Sequence, residues 1–321
     1  ISNAKGIIIQ KIREEEKQSV LKYYEEKQNQ IITGVVTRIK DNKVIVDIGK
    51  LEAVLEENEQ VPGENYEIGD RIKVYVASVK DRSKNEDKKE KEGEGKKKKS
   101  KYNKLNIKVT ISRTHRDLVR KLFELEVSEI YDGTVEIMSV SRDPGSRTKI
   151  AVKSNNPDVD PIGACVGVNG ERVNAVVEEL GGEKIDIVKF EENEALYVEN
   201  ALSPATVQYV AVDPDDKKAL VVVPDDQLSL AIGKSGQNAK LAAKLTGFKI
   251  DIKSESQAQE EGIEYMAEYD DDDEYYDEEY YEDEEYDDEE YYEEDDGNQS
   301  EEVSYEGSDV TEDVIVEDEE E

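Results

Sequence analysis

The sequence predicts a multidomain α+β protein: a small five-stranded β-barrel, a duplicated α/β module, and a disordered acidic tail. Three observations predict it. Five short β-rich runs lie between residues 31 and 111, and a pattern ending in Gly-x-x-Gly occurs twice at an offset of 66 residues. The third is charge: of 80 Asp+Glu and 43 Lys+Arg, 36 acids and no base fall in 255–321, so residues 1–254 are balanced to within one charge. The formal charge of −37 belongs to the tail and not to the fold.

Residue usage excludes several classes. One Cys rules out a disulfide framework or a Cys-built zinc site, and one His leaves no pair for a metal or a triad. No run reaches the ~18 apolar residues of a membrane span. The start, Ile1-Ser2-Asn3-Ala4-Lys5, lacks the basic-then-apolar pattern of a secretion signal. These features predict an intracellular, cytoplasmic chain with no membrane association. The first residue is not Met, which predicts a fragment or a processed start with an N-terminal part missing.

From residue 3 to 30, Ile8, Ile12, Val20, Tyr23 and Tyr24 recur at helical spacing among Glu, Lys and Gln, predicting one amphipathic connecting helix (1–29). Runs at 31–39, 43–48, 52–55, 71–76 and 105–111 have strand length and composition. Asp41-Asn42 marks a hairpin turn, and Val61-Pro62-Gly63 and Ile68-Gly69-Asp70 break the chain further on. Five short strands at this spacing predict an OB-type barrel over 30–112. Within it, residues 80–104 hold twelve Lys/Arg and six Asp/Glu and almost nothing apolar. Such a stretch cannot fold alone and reads as a basic loop, either a solvated spacer or, through the four lysines at 96–99, a phosphate contact.

The repeat carries the functional argument. Asp160-Pro161-Ile162-Gly163-Ala164-Cys165-Val166-Gly167-Val168-Asn169-Gly170 aligns with Asp226-Gln227-Leu228-Ser229-Leu230-Ala231-Ile232-Gly233-Lys234-Ser235-Gly236. Behind each follows a helical pattern: Val173, Val176, Val177 and Leu180 in one copy, Asn238, Leu241, Ala242 and Leu245 in the other. Lys-Ile-Asp-Ile then recurs at 184–187 and 249–252, and upstream two-strand segments begin at 134–137 and 206–209. The order in both copies is helix, strand, strand, helix, Gly-x-x-Gly, helix, strand. That is the order of a KH domain of the prokaryotic, type II arrangement, predicted over 113–190 and 191–256.

In this arrangement two glycines let the backbone approach a sugar-phosphate chain, and the helix behind them presents its amides and partial positive charge to phosphate. Apolar residues beside the loop leave a groove for about four single-stranded nucleotides. The candidate RNA-binding residues are Gly167, Val168, Asn169, Gly170 and Arg172 in the first copy. In the second they are Gly233, Lys234, Ser235, Gly236, Gln237, Asn238, Lys240 and Lys244. A lone Gly-x-x-Gly is usually a turn or a cap; two copies between matching helices are specific. Gly233-Lys234-Ser235 is not a P-loop, which needs a Gly at position 228, where Leu stands. His115 opens a helix and reads as a cap, and Cys165 as a small buried hydrophobe. No catalytic residue, metal or cofactor is expected.

A barrel followed directly by two KH domains resembles the NusA family of bacterial transcription elongation and termination factors, with the barrel as the S-one motif. The likeness rests on Ser112-Arg113-Thr114-His115, Phe123-Glu124-Leu125-Glu126-Val127, Glu129-Ile130-Tyr131-Asp132-Gly133-Thr134-Val135, 159–167 and 228–239, and covers residues 3–256. It implies that the connecting helix is the remnant of a polymerase-binding N-terminal domain, and that barrel and KH domains form one RNA-binding surface. Implied partners are single-stranded nascent RNA, RNA polymerase and other antitermination factors, with the chain itself a monomer.

The sequence departs from that pattern in three ways. The first loop, Gly-Val-Asn-Gly, lacks the cation that Lys234 supplies in the second, so its phosphate grip should be weaker. Asp41, Asn42 and Val44 stand where related barrels carry stacking aromatics. The insertion at 80–104 and the acidic end inherit no role. That end, 257–321, has ten Tyr after position 264 in doublets between acids and is expected to be disordered. It is either a solubilising tail or a competitor of RNA for basic surfaces.

The function implied is a non-catalytic RNA-binding regulator of elongation, pausing, termination and antitermination. The alternative is an RNA-processing or ribosome-associated KH protein, such as an accessory region of an exoribonuclease; an enzyme of that kind needs a catalytic domain the sequence does not offer.

Overall fold

The computed structural model describes residues 2–81 and 105–263. The basic run at 82–104 and residues 264–321 lie outside the described residues, and with them the expectations placed on both segments.

Helix α1 (Ser2–Glu26) precedes the barrel. Only its last turns pack: Val20, Leu21 and Tyr24 are buried, with the Tyr24 hydroxyl donating to Ile48 O at 3.0 Å and accepting from Lys50 N at 3.0 Å. Ile8 and Ile12, placed on the same expected apolar face, are each 58% exposed. Strands β1 (Ile31–Lys40), β2 (Lys43–Asp47), β3 (Glu52–Leu55), β4 (Arg71–Asp81) and β5 (Ile107–Ser112) close in the order β1-β2-β3-β5-β4. Asp41 and Asn42 both have positive φ, the turn that matches strand twist in a two-residue hairpin. Strand β4 runs five residues beyond the predicted 71–76, because Ser78, Val79, Lys80 and Asp81 pair with Thr110, Val109, Lys108 and Ile107 of β5. Lys80 is thus a strand residue, and the fifth strand runs to Ser112.

The first repeat comprises α2 (Arg116–Glu126), α3 (Ser128–Tyr131), β6 (Val135–Asp143), β7 (Arg147–Ser154), α4 (Pro161–Val166), α5 (Glu171–Glu179) and β8 (Lys184–Lys189). The second comprises α6 (Glu194–Ala201), β9 (Tyr209–Asp213), β10 (Lys218–Val223), α7 (Leu228–Ile232), α8 (Gln237–Thr246) and β11 (Lys249–Ser254). Each sheet has three strands, antiparallel for the first pair and parallel for the second. Residues 206–208, expected to begin a strand, precede β9. The second module also extends further than 256: Ser254 and Gln257 form a capping box for α9 (Glu255–Glu260), and Ala258 is fully buried. Residues 257–260 are therefore helix, not tail.

Both junctions are dense. Arg113, 2% exposed, donates to Glu64 and to Lys73 O of the barrel and to Glu179 of the first KH module. Arg142 and Glu183 form an ion pair at 2.9 Å with side chains 2% and 0% exposed, and Arg142 also donates to Arg113 O and His115 O. Between the KH modules, Ala151 and Val188 of the first share an apolar core with Tyr197, Ala201 and Leu202 of the second. Ser139 Oγ and the Tyr197 hydroxyl both donate to Leu245 O, and buried Lys149 donates to Ser203 O at 2.6 Å. Strand β7 is buried from Thr148 to Val152, on both faces, because helices of its own module and of the next cover it. The short 190–193 link therefore joins two bodies whose orientation is set by packing.

Candidate nucleic-acid interface

The two Gly-x-x-Gly loops have the same backbone. Gly167 sits at φ 75°, ψ 178° and Gly233 at φ 73°, ψ 170°, a region essentially restricted to glycine. Asn169 and Ser235 follow in the left-handed region (φ 52° and 56°), then Gly170 and Gly236 at φ 78° and 74°, which cap α5 and α8. At the first glycine of each loop a Cβ would lie 2.8 Å from a side chain of the following helix, Arg172 in one copy and Asn238 in the other. Bare backbone is needed there for the two helices to meet.

Those two side chains occupy equivalent positions and perform the same structural task. Arg172 Nη1 donates to Ala164 O at 2.7 Å and Asn238 Nδ2 to Ala231 O at 3.0 Å, each tying the loop to the end of the helix before it. Both are expected to meet RNA, and both are engaged within the protein. Asn238 is buried, with Nδ2 also bonded to Leu202 O, so its amide nitrogen is committed to the protein and only a small edge of the residue reaches the loop surface. Arg172 is half-buried and paired with Glu129 at 2.8 Å, its charge already opposed. The Arg172 guanidinium helps hold the Glu129 carboxyl below the usual range, after the stronger effect of that residue's own backbone amide. The first loop thus presents Val168, 79% exposed, and Asn169, with no unopposed cation among the described residues.

The second loop differs in its surroundings. Lys234, Lys240 and Lys244 are exposed, and none is in an ion pair with a described residue. They line one cleft of about 460 Å³ with Ser235, Gln237, Leu241 and two residues of the first module's hairpin, Asp143 and Ser146. Lys240 Nζ donates to Ser235 O at 3.1 Å, which keeps its charge at the loop. A second cleft of about 210 Å³ lies across the same loop between Arg147 and Pro204 on one side and Ser229 and Leu230 on the other. Leu230 and Ile232 are exposed apolar groups beside the loop, as a base-contacting groove requires. Gln237 faces the first module, donating to Asp143 Oδ2 at 2.6 Å and Ser146 Oγ at 2.7 Å. The repeat locates this loop but not the hairpin opposite it, since residues 143–147 carry no motif.

On the barrel, Arg38 pairs with Glu52 and Lys43 with Glu56, so two of the cations beside the aromatic-free hairpin are opposed by carboxylates, while Lys40 is exposed. His115 caps α2, its Nδ1 accepting from Asp117 N at 3.2 Å, and stacks on Tyr75 at 4.4 Å. Burial pushes the Cys165 thiol up to about 12, as an inert hydrophobe requires. Among the described residues no group of three or more His, Cys, Asp or Glu is placed to hold a metal, and no helix is long and apolar enough to cross a membrane.

Three family profiles match the chain: S1 RNA binding domain at residues 25–87, NusA-like first KH domain at 113–190 and NusA-like second KH domain at 194–260. The chain is similar to curated proteins named transcription termination/antitermination protein NusA. It is 48% identical to that of Bacillus subtilis (strain 168) over 84% of this chain and 67% of the relative. To that of Mycobacterium tuberculosis (strain ATCC 25618 / H37Rv) it is 43% identical, over 79% of this chain and 70% of the relative. To that of Thermus thermophilus it is 43% identical over 78% and 59%. The chain spans between 59% and 70% of the length of these relatives. A barrel and two KH modules in one order, with identity at this level across all three, leave a single assignment: the chain belongs to the NusA family.

Proposed function

We propose that the chain binds nascent single-stranded RNA, gripping phosphate chiefly at the second Gly-x-x-Gly loop, and so modulates elongation, pausing, termination and antitermination by RNA polymerase. The observation that carries this reading is the cleft walled by both KH modules, where Lys234 and Lys240 stand at the start of α8 and Lys244 in its last turn, none of them in an ion pair with a described residue. Packing between the modules favours one continuous track for a strand instead of two independent sites. The names of the relatives support a transcription factor over an accessory region of an exoribonuclease. In this reading the protein is non-catalytic, acts in the cytoplasm as a monomer, and meets RNA polymerase and other antitermination factors.

Two measurements test it. Purified chain should bind short single-stranded RNA, with affinity falling steeply in salt, and polymerase subunits should co-purify with the protein. Phosphate-dependent RNA decay by the purified chain, or the absence of RNA binding, would favour the processing reading.

A further inference from the structure

The β6–β7 hairpin of the first KH module places a carboxylate in the second module's lysine cleft. Asp143 is exposed and lines the same space as Lys234, Lys240 and Lys244. For a purely electrostatic phosphate grip this residue is unfavourable, since it repels the polyanion the lysines attract. Its position is nevertheless fixed: Gln237, in the first turn of the helix behind the Gly-x-x-Gly loop, donates to Asp143 Oδ2 and to Ser146 Oγ. None of the three lysines pairs with it, and no described side chain donates to Oδ1. One acceptor is left for a ligand.

We propose that Asp143 is a specificity residue of the RNA site, accepting a hydrogen bond from the exocyclic amino group of a base whose phosphate lies on the lysines. The proposal rests on the reading of the cleft as an RNA site. An ionised carboxylate accepts and cannot donate. The amino groups of cytosine, adenine and guanine are therefore partners, while uracil presents O4, another acceptor, where cytosine has its amino group, and its N3–H donor lies one ring position away. At about 460 Å³ the cleft falls in the range of roughly 300–1,000 Å³ in which small ligands are held. That suits one splayed nucleotide and not a paired stem.

Cytosine and uracil share a ring outline and differ in which edge donates, so they isolate the effect. The 321-residue chain is titrated with labelled oligocytidylate and oligouridylate of equal length. Cytidylate is expected to bind about tenfold more tightly. In Asp143→Asn, whose amide both donates and accepts, the ratio should fall to near unity, largely through tighter uridylate binding. Gln237 can turn its own amide to keep the loop contact, and an unchanged thermal melt checks this. Lys234→Ala should weaken both oligomers alike and leave the ratio unchanged. A ratio near unity in the unaltered chain, or one unmoved by Asp143→Asn, overturns the base-reading role while a loss in Lys234→Ala sustains RNA binding at the cleft. If Lys234→Ala leaves both affinities unchanged, the RNA reading of the cleft itself is refuted.

Discussion

Neutralising Lys234 and Lys244 together should reduce the salt sensitivity of RNA binding by a calculable amount. Both are exposed, lie on one cleft and have no carboxylate partner among the described residues, so each is free to displace a counterion from phosphate. Lys240 is left in place because its bond to Ser235 O supports the loop. For single strands each neutralised phosphate contributes about 0.7 to the slope of log affinity against log salt, so the double Lys→Gln variant should lose about 1.4. Over a fourfold change in salt the unaltered chain should then lose about sevenfold more affinity than the variant. Fluorescence anisotropy across a salt series reads the slope directly. The equivalent change in the first loop, at Val168 and Asn169, removes no charge and should leave the slope unaltered. If the lysine variant keeps the full slope, or if placing Asp at Val168 and Asn169 abolishes binding while Asp at Lys234 and Ser235 does not, the ranking of the two loops is wrong.

Asn238→Ala removes a buried donor shared by Leu202 O and Ala231 O and should cost about 2–3 kcal/mol in chemical denaturation; a loss under about 0.5 kcal/mol would contradict its structural role. Glu183→Gln strands the buried Arg142 charge and should cost about 3–5 kcal/mol, whereas a double apolar replacement of both residues should cost less than either single change. At the KH junction, burial raises the Asp186 carboxyl, but the Arg147 hydrogen bond and the Lys149 charge outweigh it and hold the group below its ordinary value. Its stabilising effect is therefore present above about pH 4 and is lost as pH falls through the lowered value, so Asp186→Asn should flatten the acid limb of the stability profile; an unchanged limb would exclude this contribution. Residues 264–321 carry 33 Asp+Glu and no Lys or Arg, and tethering them to the same chain as the lysine cleft supplies a competitor at effective concentrations on the order of millimolar. Truncation after Ile263 should tighten RNA binding at low salt, with the difference shrinking as the screening length falls towards ~8 Å; equal affinities at low salt would dispose of the idea.

Much of the architecture is legible in the sequence because it depends on short-range patterns. The barrel strands follow from apolar runs between turn residues, and the KH modules from a repeat whose glycines have a backbone reason to be there. Segment ends are less legible. Strand β4 outruns its apolar stretch because β5 supplies partners for Lys80 and Asp81, and α9 forms because Ala258 finds a place in the second module. The buried charges escape altogether: Lys149, Arg142 and Glu183 look like surface residues until the fold surrounds them with carbonyls and each other. Sequence patterns mark which residues prefer water, not which polar groups will find partners inside.

Arg172 shows the same limit at the functional site. As a cation five residues past Gly167, it has the composition of a phosphate contact, and Asn238 at the equivalent position has that of a base contact. The fold gives both the task of holding the preceding helix, and it meets that need with different chemistry in each copy. In the first module the guanidinium does the holding and is neutralised by Glu129, 43 residues upstream on another helix. In the second an amide does it without charge, and the lysines beyond are left unopposed. The difference between the two loops is therefore larger than the exchange of Asn169 and Val168 for Ser235 and Lys234. It includes a cation withdrawn from the first surface and three left free on the second, and under the proposed reading that asymmetry is what would direct RNA phosphates to the second loop.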